Sequence, residues 1–452
     1  MGFRLPRDLH DIHAILSGAG YGCHLVGGAV RSLVLGRKPK DWDLATDAGP
    51  EEVQRLFRRV IPTGIRHGTV TILFRGSTYE ITTYRIEKGY SDGRRPDAVE
   101  YTPSLEEDLK RRDFTINAMA VEIGSGELVD PHGGRLDCAR GIVRAIGNPE
   151  ERFREDGLRL LRAVRFAVTL DFSIEPETSG AMKSCADGIL RISPERIQME
   201  LEEILRARTP SRAFSLMAET GLLERILPEL SAGVGVTQKG RHRFDVFTHS
   251  IMACDGIRAP DPGLRLAALF HDIGKPFVAS RDEEGVRIFH GHEEKSAELA
   301  SAILGRLRFP SGTIKRVVHL VREHMFSYDP SWTDAAVRRF LIRVGEENWE
   351  DLFLLRLADG YACRGEWPDP RSLDGFRGRI LKVLAEKDAL SLKSLKIGGR
   401  DLTALCDIPP GPAMGRVLEF LLEAVVDDPA LNEKETLAEM ARRYYKSRLS
   451  PS

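Results

Sequence analysis

The sequence predicts an α+β protein, with a small mixed β-sheet in the first part of the chain and helices in most of the remainder. Three observations support this prediction. Short β-rich runs occur only before about Ile146, and apolar residues recur at helical spacing from Pro149 onward. The chain has 452 residues, of which 42% are hydrophobic. This is enough for about two to four domains with cores of their own.

The strand and helix signals follow one another in short segments. The apolar run His24–Val26 ends in a Gly-Gly pair and precedes a helical pattern over residues 29–35. The β-rich runs Thr69–Phe74 and 78–84 flank Arg-Gly-Ser, which predicts a β-hairpin. In residues 150–170, apolar side chains alternate with arginines at helical spacing, which predicts a helix.

Composition limits the classes of protein that need to be considered. No apolar run reaches the roughly 18–20 residues that span a bilayer, and the first residues lack the apolar core of a signal peptide. The 6 cysteines are scattered without a Cys-x-x-Cys pair, which predicts a reducing cytoplasmic location. A net charge of −1 argues against a uniformly basic surface but not against a local patch that binds nucleic acid.

A glycine turn and two aspartates form the first candidate site. On a strand, residues i and i+2 face the same side, so we expect Asp41 and Asp43 to project together. Two neighbouring carboxylates repel unless a cation lies between them, and hard oxygen ligands favour Mg²⁺ with its nucleotide phosphates. Backbone N–H groups at Gly27 and Gly28 can approach phosphate oxygens, and Arg31 can add charge there. The alternative is a solvated turn before a helix.

Two later motifs carry residues that suit a nucleotide. In the stretch Arg-Arg-Asp-Phe-Thr-Ile-Asn-Ala, Arg112 can fork to a phosphate, while Asp113 and Asn117 can bond a sugar hydroxyl. Further on, Asp156 and Arg159 are three residues apart, so we expect them to share one helix face. An Asp accepts from the exocyclic amino group of cytosine or adenine, and an Arg donates to the neighbouring ring acceptor. The alternatives are solvated charges at a helix start and a surface ion pair.

Histidines and aspartates recur at wide intervals in a separate block: His249, His271, Asp272, His292, His324 and Asp359. Imidazole with carboxylate suits Mn²⁺, Ni²⁺, Fe²⁺ or Zn²⁺, and a metal-bound hydroxide attacks phosphoesters. The run His-Asp-Ile-Gly-Lys from His271 resembles the HD phosphohydrolase superfamily, whose fold is all-α. The resemblance implies a two-metal site and favours His292 over His290. The alternative for each single histidine is an ordinary core or surface role.

The motifs of the first site, in their order, resemble the class II nucleotidyltransferase family of tRNA CCA-adding enzymes and poly(A) polymerases. Residues 27–31 with 41–46 resemble its first motif, residues 111–118 its second, and residues 155–159 its Glu-Asp-x-x-Arg motif. The family usually has Asp where this chain has Ser32, a position that we expect to support the neighbouring arginine.

The family resemblance implies a role for each site residue. Asp41 and Asp43, with Glu80 as a third catalytic carboxylate, would hold Mg²⁺ while the 3′-hydroxyl of tRNA attacks the α-phosphorus of CTP or ATP. Asp156 and Arg159 would select the base without a nucleic-acid template. The nucleotide would also contact Gly27, Gly28, Arg31, Arg112, Asp113, Asn117, Arg162 and Arg165.

Four further segments resemble the bacterial CCA-adding branch: residues 63–70, 80–85, 397–402 and 409–415. Residues 90–97 look like the flexible loop that supports the change from adding C to adding A. The loop implies that the terminal A can be added, and it leaves open whether both C residues are added first.

We therefore expect four parts: a nucleotidyltransferase head (1–146), a helical neck that recognises the base (147–235), an HD domain with phosphodiesterase or phosphatase activity (236–367) and a tRNA-binding helical tail (368–452). The expected partners are the tRNA 3′ end, CTP and ATP, with no membrane. The alternatives are an enzyme that adds only A, a poly(A) polymerase and a chain that acts mainly as an HD phosphohydrolase. A basic track is expected beside the RNA 3′ end, formed by Arg144, Arg152, Arg154, Arg159, Arg162 and Arg165.

Overall fold

A computed structural model of the chain describes residues 3–64, 68–88, 98–238, 243–386 and 391–449. The predicted loop over 90–97 and residues 65–67 of the 63–70 segment lie outside the described residues. The chain divides into two compact units. The first comprises Met1–Ala232 with the short pieces Pro260–Pro262 and Ile303–Phe309, and the second comprises Gly233–Ala259, Gly263–Ala302 and Pro310–Ser452.

The first unit is built on a mixed sheet, as the sequence predicts. Its strands are β1 His24–Val26, β2 Asp43–Thr46, β3 Val60–Gly64, β4 Thr69–Phe74, β5 Ser77–Thr83, β6 Arg85–Lys88, β7 Ala98–Tyr101, β8 Ala120–Glu122, β9 Leu128–Val129, β10 Ile142–Val143 and β11 Ser173–Ile174. Seven of them form one sheet in the order β3-β4-β5-β2-β1-β8-β9. In this sheet β2 and β5 are parallel, and the other neighbours are antiparallel.

The register of β5 determines where the first site lies. The strands β4 and β5 form the predicted hairpin around Arg75 and Gly76. Both turn residues have positive φ, 50° and 86°, as a tight two-residue hairpin turn requires. On its other edge β5 pairs with β2, which places Asp43 directly opposite Glu80. The sheet therefore brings two carboxylates together that are far apart in sequence.

Helices surround this sheet and extend the first unit. They are α1 Arg7–Gly18, α2 Gly28–Val34, α3 Pro50–Leu56, α4 Leu105–Lys110, α5 Gly134–Arg140, α6 Pro149–Glu155, α7 Leu158–Leu170, α8 Pro176–Cys185, α9 Pro194–Leu205, α10 Ser211–Glu219, α11 Leu222–Ile226 and α12 Pro228–Ser231. The helix predicted over 150–170 is interrupted between α6 and α7. A Cβ at Gly157 would lie 2.3 Å from the carbonyl oxygen of Gly188, so two backbone segments pack directly on each other at the interruption.

The second unit is almost entirely helical in its described residues, as the sequence predicts. Its helices are α13 Val246–Gly256, α14 Pro262–Phe270, α15 Lys275–Val278, α16 His292–Arg306, α17 Ser311–Glu323, α18 Asp334–Val344, α19 Trp349–Arg364, α20 Asp374–Ala385, α21 Gly399–Cys406, α22 Pro412–Asp427 and α23 Lys434–Arg448, with a small hairpin of β12 Ser280–Arg281 and β13 Arg287–Ile288. Helices α13 and α19 pack along each other. In the described part of the chain, no helix combines the length and apolar character needed to cross a membrane.

Candidate functional site

A polar cavity of about 560 Å³ lies in the first unit. Eight arginines line it: Arg31, Arg85, Arg111, Arg112, Arg159, Arg162, Arg165 and Arg196. Four carboxylates also line it: Asp43, Glu80, Asp113 and Asp156. The excess of guanidinium groups suits a polyphosphate ligand, which arginine binds in two-pronged geometry. The cavity brings together every residue predicted for the first site except Asp41.

Asp43 and Glu80 supply negative charge within this cavity. Because they are register partners on neighbouring strands, their side chains leave the sheet on the same face. Burial, and then the charges of Glu80 and Asp41, raise the pKa of Asp43. A divalent cation relieves this crowding of negative charge, so these oxygen donors fit a Mg²⁺ site.

Asp41 lies in a bend before the strand, and the expectation that it projects with Asp43 from one strand is wrong. The strand β2 begins only at Asp43. Its antiparallel partner β1 ends at Val26, where the chain turns at Gly27. Asp41 is exposed. Its charge nevertheless reaches the site, since it contributes to the raised pKa of Asp43. Its predicted role as a metal ligand stays a prediction.

Gly27 allows arginine side chains to approach the backbone of the cavity. Its φ is 66°, a conformation that side-chain-bearing residues rarely adopt. A Cβ there would lie 3.2 Å from Nη1 of Arg112. Arg31, on the following helix, donates a hydrogen bond from Nη1 to Oδ1 of Asn117. Burial lowers the pKa of Arg31 to about 10, so the guanidinium remains charged at neutral pH.

Asp113 holds Arg162, one of the arginines of the cavity, in place. It accepts hydrogen bonds from Nε and Nη2 of Arg162 at 2.8 and 2.6 Å and from Nδ2 of Asn117 at 2.9 Å. Burial raises the pKa of Asp113, but Arg162 and Asn117 outweigh burial and hold it well below its usual range. The carboxylate is therefore ionised and holds the side chains that face the cavity.

Phe166 and Glu200 are functional candidates that the sequence analysis does not single out. The guanidinium carbons of Arg31, Arg162 and Arg165 lie 4.9, 5.3 and 4.1 Å from the centre of the Phe166 ring. Glu200 accepts a hydrogen bond from Nε of Arg165. Cation–π contact and the ion pair together order Arg162 and Arg165, which share the helix of Phe166, and Arg31, which is distant in sequence. The only sequence signal was the position of Phe166 directly after Arg165.

Asp156 and Arg159 do not share a helix face, and that expectation is wrong. Asp156 is extended and ends α6, where its Oδ1 accepts from the backbone N–H of Leu158 at 3.0 Å. Its other oxygen pairs with Nη2 of Arg196 at 2.7 Å. Arg159, in the first turn of α7, pairs with Glu155. Both side chains line the cavity, and the interruption at Gly157 allows each to keep a protein partner while facing it.

The six arginines of the predicted basic track are each paired with a carboxylate. The pairs are Arg144 with Asp137 and Glu175, Arg152 with Glu155, Arg154 with Glu150, Arg159 with Glu155, Arg162 with Asp113, and Arg165 with Glu200. Of the six, the last three line the cavity. All six arginines are therefore held in ion pairs, and half of them face the cavity.

The Asp113–Arg162 pair predicts a pH-dependent stability. The pKa of Asp113 is lower in the folded protein than the value of about 4 in the unfolded chain. The pair therefore stabilises the fold fully above about pH 4, and this stabilisation is lost as the pH falls towards the folded pKa. Removing one partner of a buried pair costs about 3–5 kcal/mol. We therefore expect Asp113→Asn to lower the urea midpoint strongly at pH 6 and less at pH 3. The exposed Asp187→Asn, which loses a pair with Arg225, is the control. If the urea midpoints of Asp113→Asn and the wild type differ as much at pH 3 as at pH 6, this assignment is contradicted.

The second unit contains the predicted histidine–aspartate cluster. Nε2 of His249 lies 3.1 Å from Nε2 of His271, 3.2 Å from Oδ2 of Asp272 and 3.3 Å from Oδ1 of Asp359. The other oxygen of Asp272 lies 3.3 Å from Nε2 of His292. Helix α13 supplies His249 and helix α19 supplies Asp359. The segment after α14 supplies His271 and Asp272. His290 is exposed, so the structure selects His292.

The histidine rings in this cluster are oriented for metal binding. Nδ1 of His271, His292 and His324 lies 2.7, 2.9 and 2.7 Å from the carbonyl oxygen three residues earlier in the chain. Such a bond holds Nδ1 as the donor and leaves Nε2 as the metal-binding atom. Nε2 of His292 is buried and faces Oδ1 of Asp272. The donor set therefore fits divalent metal ions.

Asp272 links two groups of candidate ligands. One group contains His249, His271 and Asp272, and another contains Asp272, His292 and His324. Burial raises the pKa of Asp272, but His271 and Lys275 outweigh burial and keep the carboxyl ionised. Lys275 donates to Oδ2 of Asp272 at 2.6 Å. One carboxylate can thus serve two ions. A third group contains Cys363, which the sequence analysis does not single out.

Four family models match successive parts of the chain. They describe a poly(A) polymerase head domain (residues 23–144), an RNA and SrmB-binding site of polymerase A (171–233), an HD domain (241–362) and a tRNA nucleotidyltransferase domain (379–441).

Similar proteins extend over nearly the whole chain. The A-adding tRNA nucleotidyltransferase of Deinococcus radiodurans is 38% identical over 422 residues, which cover 89% of this chain and 91% of that protein. The CCA-adding enzyme of Geobacillus stearothermophilus is 33% identical over 419 residues, 92% of each chain. The crystal structure of the Bacillus stearothermophilus CCA-adding enzyme in complex with CTP matches with a TM-score of 0.75 and 29% identity, covering 98% of this chain and 99% of that one.

Proposed function

Since the chain belongs to the family of CCA-adding and A-adding tRNA nucleotidyltransferases, we propose that it adds C, A or both from CTP and ATP to the 3′ end of tRNA without a nucleic-acid template. The observation that supports this most directly is the composition of the cavity in the first unit. It combines the Asp43–Glu80 pair, eight arginines and the Asp156–Arg159 pair. The names of the relatives favour tRNA over generic RNA as the acceptor.

The reaction divides among the residues of the cavity. Asp43 and Glu80, together with the nearby Asp41, would hold Mg²⁺, which would activate the 3′-hydroxyl of the tRNA as the nucleophile and stabilise the leaving pyrophosphate. Arg31, Arg112 and Arg162 bind the triphosphate. Arg31 is held in place by Asn117 and the Phe166 ring, Arg162 by Asp113, and Arg112 by Asp108. Nucleotide binding at Gly27 and Gly28 places the phosphates beside the backbone. This set of roles is our proposal for the transferase site.

Base selection belongs to Asp156 and Arg159 in this proposal. Arg159 is held by Glu155 and by the carbonyl oxygens of Arg152 and Arg111, each 3.1 Å from its guanidinium. A guanidinium fixed in this way presents donors in one direction only. It therefore matches the ring acceptor of C or A and not the ring N–H of U or G.

We expect Arg159→Ala to impair base choice more than tRNA binding. A good two-pronged base contact is worth about 1–3 kcal/mol of discrimination. Loss of the contact should therefore reduce the preference for CTP and ATP over UTP and GTP by about 5- to 150-fold. The control is Arg55→Ala, which removes an exposed arginine from α3, outside the predicted basic track. Unchanged discrimination in Arg159→Ala, with weaker tRNA binding, would contradict the role.

The acceptor and the added nucleotides are tested with three tRNA transcripts that end before CCA, after the first C and after CC. Each is incubated with CTP, ATP or both, and product length is read on a gel. A CCA-adding enzyme extends all three to full length. An A-adding enzyme extends only the transcript that ends in CC, with ATP. A ladder of long A tails on unrelated RNA would instead identify a poly(A) polymerase.

The second unit carries a phosphodiesterase or phosphatase site in our proposal. The supporting observation is that Asp272 belongs to both ligand groups, one with His249 and His271 and one with His292 and His324. Mn²⁺, Ni²⁺, Fe²⁺ or Zn²⁺ in these groups supplies hydroxide for attack on a phosphoester. A cyclic or terminal phosphate at a damaged tRNA 3′ end is the substrate class that fits the nucleotide addition proposed for the first unit.

The division into four parts remains our proposal for the domain organisation. The head would occupy residues 1–146, the neck 147–235, the HD domain 236–367 and the tail 368–452. In support, the chain passes from one compact unit to the other at Ala232 and Gly233.

A further inference from the structure

We propose that Cys363 is a thiolate ligand of the metal ion at His249 and Asp359, so that this HD centre selects a thiophilic ion such as Zn²⁺. The inference rests on the proposed metal centre of the second unit. It adds a ligand type, sulfur, to a donor set otherwise made of nitrogen and oxygen.

The position of Cys363 on its helix directs the thiol towards the cluster. Asp359 and Cys363 are four residues apart on α19, so they lie on the same helix face. That helix packs along α13, which carries His249. Ligand atoms of His249, Asp359 and Cys363 all lie within 4.8 Å of one another.

The spacing of these atoms fits ligands of a common ion. Bonds of about 2.0–2.1 Å to nitrogen or oxygen and about 2.3 Å to sulfur put neighbouring ligand atoms of a tetrahedral zinc site about 3.3–3.5 Å apart. Sγ of Cys363 lies 3.6 Å from Oδ1 of Asp359. The same oxygen lies 3.3 Å from Nε2 of His249. The other oxygen of Asp359 faces Arg356, at 3.9 Å, so Oδ1 is the oxygen aimed at the cluster.

Cys363 differs from the other cysteines of the chain. Cys23, Cys138, Cys185, Cys254 and Cys406 are buried, whereas Cys363 is partly exposed. A ligating thiol releases its proton to solvent as the metal–sulfur bond forms. Access to water at Cys363 permits that release.

A thiolate changes which ion the centre prefers. Sulfur is a soft donor that favours Zn²⁺ or Co²⁺ over Mg²⁺ or Mn²⁺. The alternative is that the Cys363 thiol only donates a hydrogen bond to Asp359, which orients that carboxylate. A serine hydroxyl would preserve the hydrogen bond but would not provide sulfur.

Cobalt substitution separates these two roles. The full-length protein is loaded with Co²⁺, which gives visible ligand-field bands when bound and an intense near-ultraviolet sulfur-to-cobalt band only with a thiolate ligand. We expect both sets of bands in the wild type. Cys363→Ser should keep the visible bands and lose the near-ultraviolet band. Cys406→Ser, whose thiol faces the carbonyl oxygen of Ala438 in the tail, should keep both.

Each remaining outcome is decisive. A wild type with visible bands but no sulfur band, or a Cys363→Ser variant that keeps the sulfur band, overturns the thiolate ligand and leaves the metal centre intact. A wild type that binds no more Co²⁺ than Asp272→Asn, measured by elemental analysis, overturns the metal centre itself, because six-coordinate Co²⁺ absorbs weakly and band intensity alone does not report occupancy. As a second measurement, Zn²⁺ affinity should fall at least about 10-fold in Cys363→Ser, while Mn²⁺ affinity stays nearly the same.

Discussion

Asp43→Asn is expected to lower nucleotide addition by at least about 10³-fold with both CTP and ATP, because a metal-holding carboxylate contributes several kcal/mol to the transition state and each 1.36 kcal/mol is tenfold in rate. The fold should not suffer. Burial, Glu80 and Asp41 raise the pKa of Asp43, so its ionised form opposes folding at neutral pH. Asn removes that repulsion. Without divalent ions, the variant should unfold at the same or a slightly higher temperature than the wild type.

The matched control is Asp171→Asn. Asp171 lies in the same unit, its side chain is 96% exposed, and its φ of 62° is one that Asn tolerates. This variant should retain full activity. Incorporation of radiolabelled ATP and thermal unfolding are measured for both proteins. Substantial incorporation by Asp43→Asn would rule out the catalytic assignment, and a lower unfolding temperature would rule out the electrostatic argument.

Asp272→Asn is expected to remove both metal ions from the second unit and to abolish phosphoesterase activity. One carboxylate belongs to both ligand groups, so a single substitution affects both. Loss of a buried carboxylate also leaves Lys275 without its counter-charge, which costs about 3–5 kcal/mol. Nucleotide addition should continue at the wild-type rate, because all the lining residues of the transferase cavity lie in the first unit.

Two further variants show whether the number of ions lost depends on which ligand is removed. His324→Asn should lose only the ion of its own group, and Asp329→Asn, an exposed carboxylate outside the groups, should lose none. Metal content is measured by elemental analysis, and hydrolysis is measured on a cyclic phosphodiester. If Asp272→Asn keeps both ions, the carboxylate does not serve two sites. If it loses nucleotide addition while the first unit remains folded, the two activities are not independent.

Much of the transferase site is predictable from the sequence because its residues fall in short motifs. Gly27, Arg31 and Asn117 lie in motifs that resemble those of the nucleotidyltransferase family, and the structure places all three in one cavity. The HD cluster is predictable for a similar reason. The run His-Asp-Ile-Gly-Lys from His271 resembles the HD superfamily, and the structure places His271 and Asp272 within hydrogen-bonding distance of His249.

The sequence misleads where a local pattern is changed by packing between distant segments. Helical spacing over 150–170 predicts a helix that contains Asp156 and Arg159, but the close approach of Gly157 to Gly188 interrupts it. Asp41 follows the alternation of a strand, yet its strand begins two residues later. Gly188 is not visible in the local pattern of residues 150–170, and the pattern around Asp41 does not show how far its strand pairs with β1.

The sequence by itself determined the fold class and singled out most of the residues that the structure gathers in the two candidate sites, because residue type sets what a side chain can bind. The tertiary structure alone decided which charges are neutralised. It pairs Arg162 with Asp113 and Arg165 with Glu200, places the Arg31 guanidinium on Phe166 and brings His249 beside Asp359 and Cys363. Coulombic and cation–π energies depend on distance and burial in space. Distance along the chain does not fix either quantity for residues on different helices.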